Sequence, residues 1–587
     1  MFIAVRVFLA ALLFLAPGYG IVLFLFKRKR LLLLEWLGWI VLFGTALWSI
    51  LFELVGPSSL SWSGMGRLVG GLSIVLISHR FIRGKRSVLP RRKGFFQQAG
   101  ILIFVVAFRF LPLFYCLVPP GADMSMHCAI TRLICLEDGE PSSMRPLLPV
   151  DVFSGYPTGF HAIASLFSST TGVSPTSASF GVACAVHASV FFVLFLFFKT
   201  QLSDRGATLA AWLISFASHN PQDYLGWGGN PTVLSLLLCI GAVTCLEYLA
   251  AEEGNARWAI PCSLLMAGAL IVHPIPPICM AFLWTGWYAL SLWPAWKKSR
   301  QERIRLLAAG GAILSVSVVL LLPLLLKDRA HVSEWEIEWV REWQRCGGGA
   351  WHGTWRNAPF TIPRFVGKVM GWAPCLLAPP GFLLCLKRHR LRAVQCLLVG
   401  AAAFLLILNS HHWVLPLSFV LYPERVAVLL LLPLGLLSGF ALERLADHSK
   451  SRAFLWGILL GWGVFLSSSR YLATAYQQVA VTPADWKAIR WLREHSAPWD
   501  LVANEYGDAG LWIPALAGRA ITVPHVNPFI MEEARSGLKG RVPTYLYLGA
   551  KQVYPSHAKD LVELLRQHDF SPVFCQGGVT ILRNEGT

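Results

Sequence analysis

Long apolar runs separated by short polar loops make up most of the chain. Each run is long enough, or nearly long enough, to cross the hydrocarbon core of a bilayer as a helix. The pattern predicts about fourteen transmembrane helices, although one run is short and another is interrupted by prolines. The predicted helices lie near residues 2–26, 31–55, 68–82, 98–118, 176–198, 207–218, 233–250, 258–273, 276–296, 306–326, 370–386, 393–408, 426–442 and 453–467.

The pattern changes after residue 481, where the composition becomes that of a water-soluble domain. The sequence TPAD at 482–485 predicts a helix start, with threonine as the N-cap and proline at the first helical position. Short apolar runs predict strands at 500–503, 520–523, 545–548, 573–574 and 579–582. One amphipathic run predicts a helix at 558–568. We therefore expect an α-helical polytopic membrane domain over 1–481 and a small α/β domain over 482–587.

Composition and charge exclude a soluble or nucleic-acid-binding protein. The chain is 55% hydrophobic and 14% charged, whereas soluble domains carry roughly a quarter charged residues. The formal net charge is +19, but the basic residues form short runs between apolar spans, such as KRKR at 27–30 and KRHR at 387–390. Such runs orient membrane helices, so no nucleic-acid partner is expected.

The basic runs also predict the orientation of the chain. When the predicted spans are counted in order, the strongly basic loops all lie on one side of the membrane, which is the side expected to be cytoplasmic. The loop at 56–66 lies on the other side and contains no Lys or Arg. The first apolar run precedes its basic cluster, which is not the order found in a cleaved signal peptide. We expect a multi-pass protein of the bacterial inner (cytoplasmic) membrane, with both termini and the α/β domain extracytoplasmic.

The extracytoplasmic loop at 119–174 carries the first candidate site. Asp123 and His127 are four residues apart and share one face of a helix, and His161 follows at the end of the loop. Asp123 could act as a general base, while His127 could orient it or share a metal with His161. In the alternative interpretation Asp123 only caps the helix and the histidines bond backbone carbonyls. Two cysteines of this loop, Cys128 and Cys135, could form a disulfide or remain free thiols.

Two further extracytoplasmic stretches contain residues that could bind a ligand. The sequence HNPQDYLGWGGNP at 219–231 combines Asp223 and Trp227 with glycines that allow close backbone approach; otherwise it is a polar hairpin. At Tyr422-Pro423-Glu424-Arg425 the planar guanidinium suits a phosphate or pyrophosphate. The alternative there is an ion pair with Glu424, or snorkelling of the arginine to lipid headgroups.

These stretches together resemble the GT-C superfamily of polytopic membrane glycosyltransferases, in an uncharacterised bacterial or archaeal branch. The resemblance is carried by GADMSMH at 121–127, YPTGFHA at 156–162, GWGGNPT at 226–232, LYPERVAVLLLLPLGLLSG at 421–439 and the stretch that starts with TPADWKAIRWLREH at 482–495. The first three spans are additional to the usual layout, in which the acidic loop follows the first span.

The resemblance implies a hexosyl- or pentosyltransferase that moves a sugar from a polyprenyl-phosphate or -pyrophosphate donor to an unknown glycan, lipid or protein acceptor. Asp123 would be the general base and Asp223 a second acid. The residues implied in substrate binding are His127, Tyr156, His161, Trp227, Tyr422, Glu424 and Arg425. Family members differ in metal use, so Mg or Mn is an optional cofactor whose ligands would be Asp123, His127 and His161.

Two functions of other classes stay open at this point. A transporter or lipid flippase also needs many spans, and it predicts ionisable groups deep within them, of which Arg109 is the clearest, with Glu53 and Glu247 near span ends. A non-catalytic scaffold for envelope polysaccharide assembly would keep the fold and use the C-terminal domain as its working part.

Overall fold

The computed structural model describes residues 2–26, 31–56, 60–82, 94–149, 157–251, 256–326, 356–412, 421, 423–448, 450–524, 528–554 and 559–586. Before residue 482 the described elements are helical. The α-helices of this region are Phe2–Leu25, Leu33–Val55, Trp62–Ile82, Phe95–Phe110, Pro112–Tyr115, Ala122–Glu137, Gly159–Thr171, Pro175–Lys199, Asp204–Phe216, Tyr224–Trp227, Asn230–Ala251, Ala259–Val272, Ile275–Lys298, Arg300–Leu326, Ala358–Met370, Trp372–Arg388, Arg390–His412, Pro423–Val428, Leu431–His448 and Lys450–Gln477.

A helix occupies the position of every predicted span, so the expected polytopic α-helical fold is confirmed. Within the described residues, nine helices are long and apolar enough to cross a membrane, and Ala259–Val272 is apolar but shorter. This is fewer than the pattern predicted, in part because some predicted spans fold as shorter helices. Asp204–Phe216 has 13 residues, and Trp372–Arg388 has 17 residues with two internal prolines. The chain is a multi-pass membrane protein.

Three long helices form the centre of the bundle. Most residues of Leu33–Val55, Pro175–Lys199 and Asn230–Ala251 are buried. Aromatic side chains fill the space between them, and the rings of Trp39 and Tyr248, which belong to two different helices, have centroids 6.3 Å apart. Because lipid tails are as apolar as these side chains, close packing is what holds such a bundle together. A well-packed centre also fixes the loops at its ends, where the candidate site lies.

The loop predicted at 119–174 contains two short helices. Ala122–Glu137 is buried along most of its length and packs against Gly159–Thr171 and the central helix Pro175–Lys199. It is not one of the apolar helices that could cross a membrane. Cys128 and Cys135 are both free thiols, so the alternative of a disulfide between them is not realised.

The residues after 482, here called the tail domain, contain the predicted mixture of helices and strands. Its strands are β1 Leu501–Asn504, β2 Ala520–Ile521, β3 Tyr545–Leu548, β4 Phe570–Gln576 and β5 Val579–Asn584. They form one sheet in the order β2-β1-β3-β5-β4. β1 pairs in parallel with β2 and β3, whereas β5 pairs antiparallel with β3 and β4.

The helices of the tail domain are Pro483–His495, Ile513–Leu516, Pro528–Gly537 and Lys559–Gln567. The first begins with the predicted capping box, in which the Thr482 side chain accepts from the Asp485 N–H and the Asp485 side chain accepts from the Thr482 N–H. The expected small α/β domain is therefore confirmed as a fold, while its boundary at residue 482 stays a prediction.

One segment docks the tail domain onto the helical region. Residues 509–516 pack against the helix Ala122–Glu137. Arg132 of that helix donates a hydrogen bond of 3.0 Å to the carbonyl oxygen of Ala515. Burial lowers the pKa of the Arg132 guanidinium, and Arg519 and Arg493 nearby lower it further. The helix is thus held between membrane helices on one side and the tail domain on the other.

Candidate functional site

The helix Ala122–Glu137 begins at a close contact between two glycines. Gly121 has φ of 98° and Gly228 has φ of 103°, values that a residue with a side chain rarely adopts. A Cβ on Gly121 would overlap the backbone of Trp227 and Gly228, and a Cβ on Gly228 would lie 3.1 Å from Cβ of Asp123. The loop that contains Gly228 therefore rests directly on the helical turn that carries Asp123.

Asp123 lies where the helical region meets the tail domain. Burial raises the pKa values of Tyr506 and Tyr554 above the ordinary value for a phenol. The charge of Asp123 raises both pKa values further, which means that both phenols lie within electrostatic reach of this carboxylate. The Tyr554 hydroxyl donates a hydrogen bond of 2.6 Å to the carbonyl oxygen of Gln478. The Gly121 N–H donates to the same oxygen at 3.2 Å. Two tail-domain tyrosines thus stand beside the predicted base.

His127 and His161 form a buried pair next to Asp123 in sequence and structure. Nδ1 of His127 lies 2.9 Å from Nε2 of His161, which is hydrogen-bond distance. Burial lowers the pKa of His161 well below its usual value, and the adjacent His127 lowers it further. The His161 imidazole is therefore neutral near pH 7. The predicted proximity of the two histidines is present, and they bond to each other.

An ion pair lies in the loop that follows Asp204–Phe216. Nη2 of Arg470 is 2.8 Å from Oδ2 of Asp223. His219 lies 3.1 Å from the same arginine and 3.1 Å from the carbonyl oxygen of Lys368. Burial raises the pKa of Asp223, and the charges of Arg470 and His219 oppose this rise. Asp223 is thus the partner of a cation, rather than an acid that stands alone in its loop.

Glu424 and Arg425 lie at the start of the helix Pro423–Val428. The Glu424 carboxyl experiences the charges of Asp223, Arg425 and Lys368. We call Lys368, Arg425 and Arg470, together with the acids Asp223 and Glu424, the charged cluster. It combines three cations with two carboxylates, so its net charge is positive at pH 7.

His273 connects the charged cluster with the histidine pair. It follows the helix Ala259–Val272 and is half-buried. Burial lowers the pKa of His273 to about 3, with further contributions from Arg425 and His127. Since the charges of Arg425 and His127 both lower the pKa of this imidazole, both groups lie within electrostatic reach of it. The two halves of the candidate site are therefore adjacent.

Two cavities of different size adjoin the charged cluster. Arg425 and Tyr224 line a cleft of about 20 Å³, which is room for about one water molecule. A groove of about 560 Å³ begins at Leu430 and has almost entirely apolar walls. It shares its lining with a second groove of about 580 Å³. Because Leu430 lines the groove and follows Arg425 by only five residues, this part of the groove lies close to the cluster.

The ligands implied for an optional metal, Asp123, His127 and His161, do not form a metal-binding group in the structure. In the described part of the chain, no three His, Cys, Asp or Glu side chains are arranged to hold a metal ion. Nδ1 of His127 and Nε2 of His161 bond to each other, so these two nitrogens are occupied. The optional Mg or Mn stays a prediction, and we derive no step through it.

The predicted site residues fall into two adjacent groups. The first group surrounds the start of the helix Ala122–Glu137 and comprises Asp123, His127 and His161. The second group belongs to the charged cluster and comprises Asp223, Glu424 and Arg425. Trp227, whose side chain is 41% exposed, lies in the loop that joins them. Two predicted residues, Tyr156 and Tyr422, lie outside the described residues.

Four residues near the site were not predicted: Lys368, Arg470, Tyr506 and Tyr554. Arg470 had a usable signal, because an arginine in a helix with a long apolar stretch is unusual and calls for a partner. The tyrosines had none, since their position depends on how the tail domain docks.

The buried ionisable residues that a transporter would need are fixed by neighbours. Oε2 of Glu247 is 2.9 Å from Nη2 of Arg392, and its carboxylate also accepts hydrogen bonds from Gln201 and Trp287. Arg109 donates to the carbonyl oxygen of Ser215 and lies over the rings of three aromatic residues. Such contacts are typical of structural residues, so these residues give transport no specific support.

Comparison with solved structures confirms the GT-C fold. The chain superposes on ArnT from Cupriavidus metallidurans bound to undecaprenyl phosphate with a TM-score of 0.53 and 12% identity, covering 83% of this chain and 98% of that one. The arabinofuranosyltransferase AftD from Mycobacteria is similar over 82% of this chain and 41% of that one, at a TM-score of 0.47 and 14% identity. For AglB, the archaeal oligosaccharyltransferase from Archaeoglobus fulgidus, the TM-score is 0.45, with 13% identity over 76% of this chain and 69% of that chain.

Sequence comparison places the chain in a family without giving it an activity. The search of curated proteins gave no match. One family model, described as a family of unknown function (DUF6541), matches residues 10–457. Since this match covers most of the chain, the protein belongs to the DUF6541 family.

Proposed function

We propose that the protein is a membrane glycosyltransferase that moves a sugar from a polyprenyl-phosphate or -pyrophosphate donor to an acceptor hydroxyl. The observation that carries the proposal is the adjacency of three parts: the Asp123 carboxylate, a positively charged cluster, and an apolar groove that starts beside the cluster. A lipid-linked sugar has the matching parts, which are a reacting sugar, an anionic phosphate and an apolar tail.

In the proposed reaction Asp123 is the general base. The acceptor oxygen attacks the anomeric carbon, the bond from this carbon to the phosphate oxygen breaks, and the electron pair leaves with the phosphate. Asp123 takes the proton of the acceptor hydroxyl, and the attack inverts the anomeric centre. The placement of Asp123 at the tail-domain junction, within reach of Tyr506 and Tyr554, supports this role because an acceptor can approach between the two domains.

The charged cluster would hold the leaving phosphate. Arg425 and Arg470 offer planar forks that suit phosphate oxygens, and Lys368 adds a compact positive charge. Fixed positive charge at the position where negative charge develops stabilises the transition state without reorganisation. The cleft at Arg425 has room for about one water molecule, so we propose that donor binding widens it.

The groove would hold the lipid tail, with the polar groups aligned beside it. The lining is contributed by the helices Ala358–Met370, Trp372–Arg388, Arg390–His412 and Leu431–His448. Burying a tail between them converts the encounter of acceptor and sugar into a reaction at fixed distance. We place the site on the extracytoplasmic face of the bacterial inner membrane, on the basis of the basic loops at the opposite helix ends.

The test is sugar transfer by full-length protein in membranes, with undecaprenyl-phosphate-linked monosaccharides as probes and release of undecaprenyl phosphate as readout. We expect Asp123→Asn to lower turnover by about 10²–10⁴-fold, the usual contribution of a general base. Glu137→Gln is the matched control, because this exposed carboxylate lies at the other end of the same helix. Unchanged turnover of Asp123→Asn at equal expression would refute the assignment.

A further inference from the structure

A polar cavity lies at the end of the helical region away from Asp123. Its volume is about 330 Å³, and Arg388, His389 and Arg444 line it. The helix Trp372–Arg388 starts at Gly371, beside His219, and has 17 residues. At 1.5 Å per residue, Arg388 is about 25 Å from the candidate site. This cavity is therefore separate from the site of the proposed reaction.

The two arginines of this cavity form no ion pair with any residue that the structure describes. Within the described residues, neither Arg388 nor Arg444 has a hydrogen bond or an ion pair, and the side chain of His389 has none either. The imidazole ring of His389 stacks on Phe440, with centroids 5.2 Å apart. Two exposed guanidinium groups on the wall of one cavity offer concentrated positive charge to an anion.

The one carboxylate in the cavity wall is already engaged elsewhere. Glu443 accepts a hydrogen bond from the Ser203 hydroxyl. Its Oε2 lies 2.8 Å from the position that a Cβ on Gly206 would occupy, so the carboxylate sits over the first turn of the helix Asp204–Phe216. A carboxylate at a helix N-terminus is stabilised by the helix dipole. Glu443 therefore neutralises the helix end, and the two arginines stay available for a ligand.

We propose that this cavity binds a phosphate ester anion at the level of the lipid headgroups, on the membrane face opposite to Asp123. Two non-bridging oxygens of one phosphodiester match two guanidinium forks. At about 30 Å³ per liquid water molecule, the cavity has the volume of roughly ten waters, which accommodates a phosphate with a small alcohol such as glycerol. Leu202, Leu384 and Phe440 complete the wall with apolar surface, which suits the glycerol end of a phospholipid.

The test uses the full chain purified in a neutral detergent. Retention of phosphatidylglycerol is measured by native mass spectrometry, and the shift of the unfolding temperature is measured with phosphatidylglycerol, phosphatidylcholine and inorganic phosphate. We expect the double variant Arg388→Gln/Arg444→Gln to bind phosphatidylglycerol at least about tenfold more weakly than the wild type, since each charge-assisted hydrogen bond adds to affinity. Arg388→Lys keeps the charge but loses the fork, and we expect an intermediate affinity.

The matched control is Lys387→Gln/Arg390→Gln, which removes the same charge from two residues that flank Arg388 but do not line the cavity. Equal retention of phosphatidylglycerol by the double variant and this control would overturn the proposal, as would an absence of stabilisation by both phosphatidylglycerol and phosphate. Stabilisation by the lipid alone supports a phospholipid ligand, and stabilisation by inorganic phosphate as well supports a free phosphate ester. The unfolding temperature without ligand shows that each variant is folded.

Discussion

The stability of the tail domain should fall as pH rises, because of one buried carboxyl group. Asp508 is 3% exposed, and burial raises its pKa from 3.8 to about 7, with the neighbouring acids Asp485 and Glu505 adding to the rise. The N–H groups of Gly510 and Gly549 donate to its two oxygens at 2.6 and 2.5 Å. These donors oppose the shift, but burial dominates it.

The sign follows from proton binding. Between pH 4 and pH 7 the folded state holds a proton on Asp508 that the unfolded chain has released, so the stability contribution of this group is full at low pH and is lost as pH rises to about 7. A shift of about three pKa units is worth about 4 kcal/mol. For a domain of about 100 residues, 1 kcal/mol moves the unfolding temperature by roughly 4–8 °C, so the effect is easily measured.

The assay is the thermal unfolding of the full chain in detergent, followed by fluorescence at pH values from 4.5 to 8.5. We expect Asp508→Asn to flatten the loss of stability between pH 5 and pH 7, because the amide cannot ionise. Asp569→Asn is the matched control, since Asp569 is exposed in the same domain, and it should leave the pH dependence as in the wild type. An unchanged pH profile in Asp508→Asn would refute the assignment of this group.

Three other substitutions test contacts near the site and in the bundle. Gly121→Ala should disrupt the start of the helix that carries Asp123 and lower the yield of folded protein. Gly540→Ala is the control: this residue has φ of 79° and open space around it, so an added methyl group causes only backbone strain. The two variants are compared by size-exclusion chromatography. Arg470→Gln breaks a pair whose arginine is 49% exposed, so it should cost less than about 1 kcal/mol of stability while weakening the binding of an undecaprenyl phosphate probe in a binding assay. Glu247→Ala leaves the half-buried Arg392 without its ion-pair partner and should cost at most about 3–5 kcal/mol, the value for a fully buried pair, in thermal unfolding. Glu247→Ala/Arg392→Met should restore part of this loss.

The parts of the fold that sequence predicted well are those that local chemistry determines. The capping box at Thr482 and Asp485 needs only neighbouring residues, and the structure contains it. The predicted run at 545–548 is the strand Tyr545–Leu548, because an apolar run of this length between polar turns fits a buried strand. The apolar runs likewise predicted where helices form, but 13 residues at Asp204–Phe216 show that apolar character alone does not ensure a full span.

The candidate site was only partly predictable from the sequence, because only some of its contacts are between residues close in sequence. Asp123 and His127 are one turn apart, so the sequence placed them on one face of a helix, and their helix is present. Asp223 and Arg470 are 247 residues apart, and no local pattern indicates that they pair. Ion pairs of this kind result from packing between elements distant in sequence, which only the folded chain defines.

The contacts at Gln478 argue that the tail domain and the candidate site behave as one structural unit. Its carbonyl oxygen accepts from the Gly121 N–H and from the Tyr554 hydroxyl, so the start of the Asp123 helix and the tail domain share one acceptor. Arg132 ties the same helix to the carbonyl oxygen of Ala515 about three turns further on. A movement of the tail domain therefore has to break bonds at two levels of this helix or carry the helix with it. Because Asp123 lies in the first turn of this helix, docking of the tail domain and the position of the proposed base are physically coupled.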